Sequence, residues 1–229
     1  MKRILAAALL LIAGMAQAQK YSPYYYQRVS LFETLGVDSR TVVFLGNSIT
    51  DGSEWCELMG NAHVVNRGIS GDTSEGVFDR LESVIAGKPA KIFLMIGTND
   101  LAQDIPSERV ADNIRRIVER VQSESPATMF YIESVLPVSD RFGRFAGHTS
   151  KGEAILDVNE RLKSIAREKG VVYVDLHTPF TEAATGKLDS RYTNDGLHLT
   201  GDGYLLWRDI VKPMVAESRA SYRRRLQNR

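Results

Sequence analysis

A single cysteine, Cys56, stands in a chain of 229 residues, which excludes an intrachain disulfide and leaves burial of apolar surface to hold the fold. Cys56 itself is expected to pack rather than react. Net charge is also nearly absent. There are 29 basic residues against 28 acidic ones, and without Lys2 and Arg3 the balance is 27 against 28. Such a chain has no field with which to gather a polyanion, so nucleic acid is not an expected partner. Long apolar runs are missing too: the run Ile4 to Ala13 is about ten residues, against the ~20 that a membrane-spanning helix needs. It follows Lys2-Arg3 and precedes Ala16-Gln17-Ala18, the pattern of a secretory signal peptide over residues 1–18. Cleavage after Ala18, a periplasmic or secreted mature protein and no stable membrane insertion are the expectations. No repeat, low-complexity linker or composition shift divides the remainder, so residues 19–229 are expected to form one domain.

What is present is a regular alternation. Five short runs rich in Val, Ile, Leu, Phe and Tyr (Thr41 to Leu45, His63 to Asn66, Lys91 to Ile96, Thr128 to Val135 and Val171 to Leu176) read as buried parallel strands. Helical patterns lie between and after them, over Ser48 to Met59, Thr73 to Ala86, Pro106 to Ser123, Gly152 to Lys169 and about Gly201 to Glu217. Asp72 followed by Glu75 predicts a capping box, Pro106 a helix start and Gly170 a helix stop, while Pro213 should kink or end the last helix. The pattern predicts an α/β fold, a flavodoxin-like three-layer α/β/α sandwich around a five-stranded parallel sheet. The terminal Arg223, Arg224 and Arg225 read as a solvated, frayed end.

Open α/β sheets bind ligands beyond the carboxyl ends of their strands, so the residues that follow each run matter most. They are Gly46-Asn47-Ser48-Ile49-Thr50-Asp51-Gly52 after the first, Gly68-Ile69-Ser70-Gly71-Asp72 after the second and Gly97-Thr98-Asn99-Asp100 after the third, with Asp195-Gly196-Leu197-His198 beyond the fifth. The first of these lacks the G-x-G-x-x-G spacing and the lysine of a phosphate loop, and Thr50 stands where G-x-S-x-G would have its second glycine. A serine hydroxyl attacks well only when a base takes its proton, and an imidazole does this best when a carboxylate fixes its tautomer. Ser48, His198 and Asp195 supply those three groups. Ser48 opens a helix, so its own N–H is one donor for an oxyanion; the Gly71 N–H and the Asn99 side-chain amide are placed to supply two more. His63, His148 and His177 have no nucleophile beside them in sequence and read as structural or surface groups, and Asp100 as a group satisfying turn backbone.

These four blocks, in this order, resemble the SGNH hydrolases, also called GDSL-like lipases and acylhydrolases, over nearly the whole mature chain. Ser48 in Gly-Asn-Ser stands where the family has its Gly-Asp-Ser nucleophile, Gly71 and Asn99 match its glycine and asparagine, and His198 in Asp-x-x-His matches its histidine. Asn47 replaces the aspartate for which the GDSL pattern is named, and no leucine follows Ile49. The resemblance implies hydrolysis of acyl esters through an acyl-enzyme, with no metal or organic cofactor. A small acyl group, acetyl, on a carbohydrate is the expected substrate; a lysophospholipase or thioesterase, or a non-catalytic carbohydrate-binding domain, are the alternatives. Substrate selectivity is expected in the long segment Ser139 to Ser150, with Phe142 and Phe145. Arg67, beside the glycine turn, would either hold a loop carboxylate or touch a polar substrate. Tyr21, Tyr24, Tyr25 and Tyr26 would pack on the domain or offer a stacking platform for a sugar.

Overall fold

A computed structural model describes residues 19–228, so the leader expected over 1–18 lies outside the described residues. The chain begins with α1 (Pro23–Leu35), capped by Ser22, whose hydroxyl accepts from the Tyr25 N–H. The alternation then runs β1 (Val42–Gly46), α2 (Ser48–Asp51), α3 (Trp55–Met59), β2 (Val64–Gly68), α4 (Ser74–Asp79), α5 (Glu82–Ile85), β3 (Lys91–Met95), α6 (Thr98–Ala102), α7 (Ser107–Glu124) and β4 (Met129–Glu133). It continues through α8 (Ala146–Thr149), α9 (Gly152–Lys169), β5 (Val172–Val174), α10 (His177–Phe180), α11 (Gly201–Ala216) and α12 (Arg219–Gln227). All five strands pair in parallel in the order β2-β1-β3-β4-β5, which is the flavodoxin-like order. Helices cover both faces, as the α/β pattern predicts.

The two faces hold different cores. On one, Phe44, Phe93 and Tyr131 stand in register across β1, β3 and β4. Their rings stack at 5.0 and 4.2 Å, and Trp55 of α3 lies 3.9 Å over Phe44 with Trp207 of α11 edge-on at 4.9 Å. Each ring buries some 150–250 Å², which at ~25 cal/mol per Å² is a gross gain of about 4–6 kcal/mol. The alternate residues Val43, Leu45, Ile92, Leu94, Phe130 and Ile132 fill the other face, the side of α7 and α9, which pack on each other.

The helix ends depart from expectation in instructive ways. The patterns over Ser48 to Met59 and Thr73 to Ala86 are each split into two short helices, α2 with α3 and α4 with α5. The Asp72–Glu75 capping box does not form: Thr73 caps α4 by accepting from the Gly76 N–H at 3.2 Å, and Asp72 is turned inward. Pro213 is accommodated inside α11 rather than ending it, and the Lys91 ammonium donates to the carbonyls of Met214, Val215 and Glu217 at 2.8, 2.6 and 2.7 Å. That buried cation terminates the helix where no glycine does. The arginine-rich tail is not frayed, because Tyr222 of α12 is buried, with its hydroxyl bonded to both N–H and C=O of Phe130. Cys56, expected to pack, is exposed. Among the described residues, no helix is long and apolar enough to cross a membrane.

Glu133, at the end of β4, is buried, and burial pushes its carboxyl up to about 8 even though the Trp207 indole N–H donates to Oε1 at 2.8 Å. A folded pKa above the unfolded value means that the protonated form is favoured by folding. The associated stability is complete below about 4.5 and is lost as pH rises through about 8. Glu133→Gln is expected to flatten the fall of melting temperature between pH 5 and 8.5 relative to the parent chain, measured by circular dichroism. An equally steep fall in both would show that Glu133 does not titrate in that range.

Candidate active site

The carboxyl ends of the strands bring the sequence-predicted groups together. Ser48 is the first residue of α2, so its N–H has no intrahelical acceptor, and the Asn47 side chain caps the helix by accepting from the Ile49 N–H at 3.0 Å. His198 reaches across 150 residues of sequence to place Nε2 3.0 Å from Ser48 Oγ, and its Nδ1 lies 2.8 Å from Asp195 Oδ2. Burial would raise the Asp195 carboxyl, but the N–H groups of Leu197 and His198, both 2.8 Å from Oδ1, together with the His198 ring, hold it below its ordinary value. A carboxylate only accepts. The His198 proton therefore sits on Nδ1, leaving Nε2 free to take the proton of the Ser48 hydroxyl. The arrangement can make an alkoxide-like nucleophile without a charge of its own.

The rest of the site is built on a buried ion pair. Arg80 Nε donates to Asp72 Oδ2 at 2.7 Å, both side chains fully buried, and Arg80 Nη2 donates to the Gly46 carbonyl at 3.0 Å. Asp72 thereby holds the turn in which Gly71 takes φ +82°, a left-handed conformation suited to glycine. Its carbonyl accepts from Asn99 Nδ2 at 2.8 Å. Asp100 is buried and binds the Ser74 N–H with both carboxylate oxygens at 3.0 Å, a backbone role as expected. Burial pushes its carboxyl up to about 6.

Other expectations change. Arg67 is only 4 % exposed and meets neither a carboxylate nor the site: it donates to the carbonyls of Gly36 and Asn66 at 2.8 and 2.9 Å and lies over the Phe32 ring. Its strand residue alternates inward beneath α1, a helix that the sequence pattern did not announce. Phe142 is half-buried against Gly196, whereas Phe145 is exposed with its ring edge-on to His198 at 5.1 Å. Tyr25 is buried and donates to the Gly76 carbonyl at 2.8 Å, while Tyr24 donates to Asp51 at 2.9 Å, so this cluster packs α1 beside α2 and α4. His148, read from sequence as structural or surface, lies with Nε2 3.0 Å from Asn99 Oδ1. No motif marks it, and only the fold of Ser139 to Ser150 over the strand ends brings it there.

The family profile of the GDSL-like lipases and acylhydrolases matches residues 44–206, most of the chain. The chain belongs to the GDSL-like lipase/acylhydrolase family. It is an ester-hydrolysing enzyme of that family, with Asn47 capping α2 where the GDSL motif has its aspartate. It is similar to the human platelet-activating factor acetylhydrolase IB subunit alpha2, 29% identical over 180 residues that span 76% of this chain and 73% of that one. Among solved structures, a GDSL-like lipase from Bacteroides thetaiotaomicron superposes with a TM-score of 0.72 at 27% identity, covering 83% and 96% of the two chains. An acetylxylan esterase from Geobacillus stearothermophilus shares the fold, with a TM-score of 0.64 at 18% identity over 80% and 96% of the chains.

Gly196 offers a test of how this GDSL-like site is held. It takes φ +86°, and a Cβ there would fall 1.9 Å from the Ser139 carbonyl oxygen, whereas Gly143, at φ +64°, has open space around it. Both alanine variants incur left-handed strain of roughly 1–2 kcal/mol. Gly196→Ala must also push apart the Asp195–His198 turn, and it is expected to lose on the order of 100-fold in kcat/KM for an aryl acetate. Gly143→Ala should stay within a few-fold of the parent. Equal activities for the two would show that the Ser139–Gly196 contact does not hold the turn.

Proposed function

We propose that this GDSL-like enzyme removes acetyl and similarly small acyl groups from an uncharged, sugar-like alcohol, with Ser48 as nucleophile, His198 as base and acid, and Asp195 as its orienting carboxylate. The observation that carries this reading is the unbroken chain of hydrogen bonds from Ser48 Oγ through both nitrogens of His198 to Asp195. In the proposed reaction, Oγ attacks the ester carbonyl as its proton passes to Nε2. The oxyanion is met by the N–H groups of Ser48 and Gly71 and by the Asn99 amide. Collapse expels the alcohol, protonated by His198, and water activated by the same imidazole then releases the acid from Ser48.

The volume available limits the acyl group. A cavity of about 10 Å³, walled by Ile49, Thr98, Val135, Val138 and Leu197, lies among the chain neighbours of Ser48, Asn99 and His198. That is close to the room needed by one water-sized group and well short of an alkyl chain. On the alcohol side an open groove of about 420 Å³ borders Gly71, lined by Tyr21, Ser22, Tyr25, Ser70, Thr73 and Gln103, side chains without formal charge. The Lys20 ammonium on its rim is taken up by two carboxylates, Glu75 at 3.0 Å and Asp79 at 2.8 Å. The acetylhydrolase similarity supports the acyl part of this reading. The leader expected over residues 1–18 is the ground for proposing that the reaction occurs in the periplasm or outside the cell.

Ser48→Ala is expected to abolish turnover and fluorophosphonate labelling while leaving the fold intact, because the cap of α2 is the Asn47 side chain and survives the change. Activity within tenfold of the parent would move the nucleophile elsewhere. Across aryl esters of increasing length, kcat/KM should be highest for acetyl and fall by butyryl or hexanoyl. Each methylene that finds an apolar wall is worth ~0.8 kcal/mol, or roughly fourfold. Val138→Ala should therefore move the optimum towards propionyl or butyryl. A parent preference for octanoyl esters would instead favour the lysophospholipase reading, and acetylated xylo-oligosaccharides tested against acetylated glycerolipids would decide the alcohol.

A further inference from the structure

The segment from Ser139 to Lys151 touches both halves of the site. At one end the Ser139 N–H donates to the Gly196 carbonyl at 2.9 Å, inside the Asp195–His198 turn, and at the other Lys151 pairs with Asp104 at 2.5 Å, just beyond α6. Between them Phe145 is held at φ +50°, a conformation that an aromatic residue adopts only under constraint, and its ring meets the edges of His198 at 5.1 Å and His148 at 6.0 Å. His148, on α8, is half-buried.

The hydrogen bonds around Asn99 form a chain with one solution. The Asp72 backbone carbonyl can only accept, so the Asn99 amide nitrogen must face it, as the 2.8 Å contact requires. The Asn99 carbonyl oxygen then faces His148 Nε2 at 3.0 Å. An amide oxygen also only accepts, so His148 carries a proton on Nε2. With both of these bonds made, the Asn99 carboxamide is held at each end, and its second N–H has one direction left. Donation to the amide oxygen also draws electron density from the nitrogen and strengthens that N–H as a donor.

We infer that His148 is a positioning residue for ester hydrolysis: by donating from Nε2 to Asn99 Oδ1 it aims and polarises the Asn99 N–H that meets the oxyanion. The inference rests on the proposed oxyanion role of Asn99. It makes no use of His148 as a base, since the nitrogen nearest the site is already protonated, and it assigns a task to the Ser139 to Ser150 segment besides substrate selectivity.

The test is a set of four variants, His148→Ala, His148→Gln, Asn99→Ala and the Asn99→Ala/His148→Ala pair, assayed on an aryl acetate with folding checked by circular dichroism. His148→Ala is expected to lower kcat roughly tenfold or more with KM within about twofold, because an oxyanion donor works only in the transition state. His148→Gln, whose carboxamide N–H can donate to the same oxygen, should recover most of kcat. In the Asn99→Ala background, removal of His148 should cost less than about twofold, since residues acting through one another are not additive. A merely structural His148 would lose activity equally with and without Asn99, and Gln would not restore it; that result overturns the inference, as would an effect confined to KM. If kcat drops in Asn99→Ala but not in His148→Ala, the His148 assignment alone fails. If Asn99→Ala keeps its kcat, the oxyanion reading of Asn99 fails first and this inference with it.

Discussion

The ion pair between Asp72 and Arg80 holds together parts of the site that the sheet alone leaves separate. With no solvent exposure on either side chain, neither charge could be tolerated without the other, and removing one partner of such a pair typically costs ~3–5 kcal/mol. The return is geometric. Arg80 also grips the Gly46 carbonyl at the end of β1, immediately before Ser48, and Asp72 presents its own carbonyl to Asn99 beyond β3. Three strand ends are thus tied through the Arg80 guanidinium and the carboxylate and backbone carbonyl of Asp72. Buried pairs of this kind are poor sources of net stability and good devices for selecting one arrangement over its neighbours. That is the use implied here, where a displacement of about 1 Å would misplace the Asn99 amide that is proposed to meet the oxyanion.

Beneath this, the sheet supplies rigidity by two different means. The stacked ladder of Phe44, Phe93 and Tyr131, extended by Trp55, packs large flat groups against α3 and α11, and its edge is closed by polar anchors. Lys91 binds the last carbonyls of α11, Tyr131 binds Glu217, and Glu133 accepts from Trp207. The opposite face relies on aliphatic packing against α7 and α9. The polar anchors include Glu133, whose raised carboxyl makes that side respond to pH, and they adjoin the C-terminal helices.

Enzymatic work falls to the loops, which divide into two kinds. Those after β1, β2 and β3 are short and carry their functional groups within one to five residues of a strand end, so backbone geometry places them. The segments after β4 and β5 are long, and their residues are placed by contacts with those short loops, His148 by Asn99 and His198 by Ser48, and with each other, Ser139 by Gly196. In the second kind an added or lost side chain disturbs no strand.

Much of this was legible in the chain itself. Five apolar runs separated by helical patterns point to a parallel sheet covered on both faces, because runs this short and this rich in β-branched and aromatic residues suit buried strands better than helices. Ser48, Gly71, Asn99, Asp195 and His198 could be picked out because each sits next to a strand end or a tight turn, where local sequence controls direction. What local sequence could not express was decided by packing across the molecule. Arg67 lies at a strand end like the others, yet α1 covers it and turns it into a buried donor to backbone carbonyls. His148 lies in a segment with no periodicity, and its place against Asn99 depends on how that segment closes over residues 49 positions earlier. Tyr222 anchors α12, whose arginines stay exposed, by bonding the backbone of Phe130, a partner 92 residues away. In each case the determining contact is long-range, and a pattern of neighbours along the chain carries no information about it until the sheet has set the strand ends side by side.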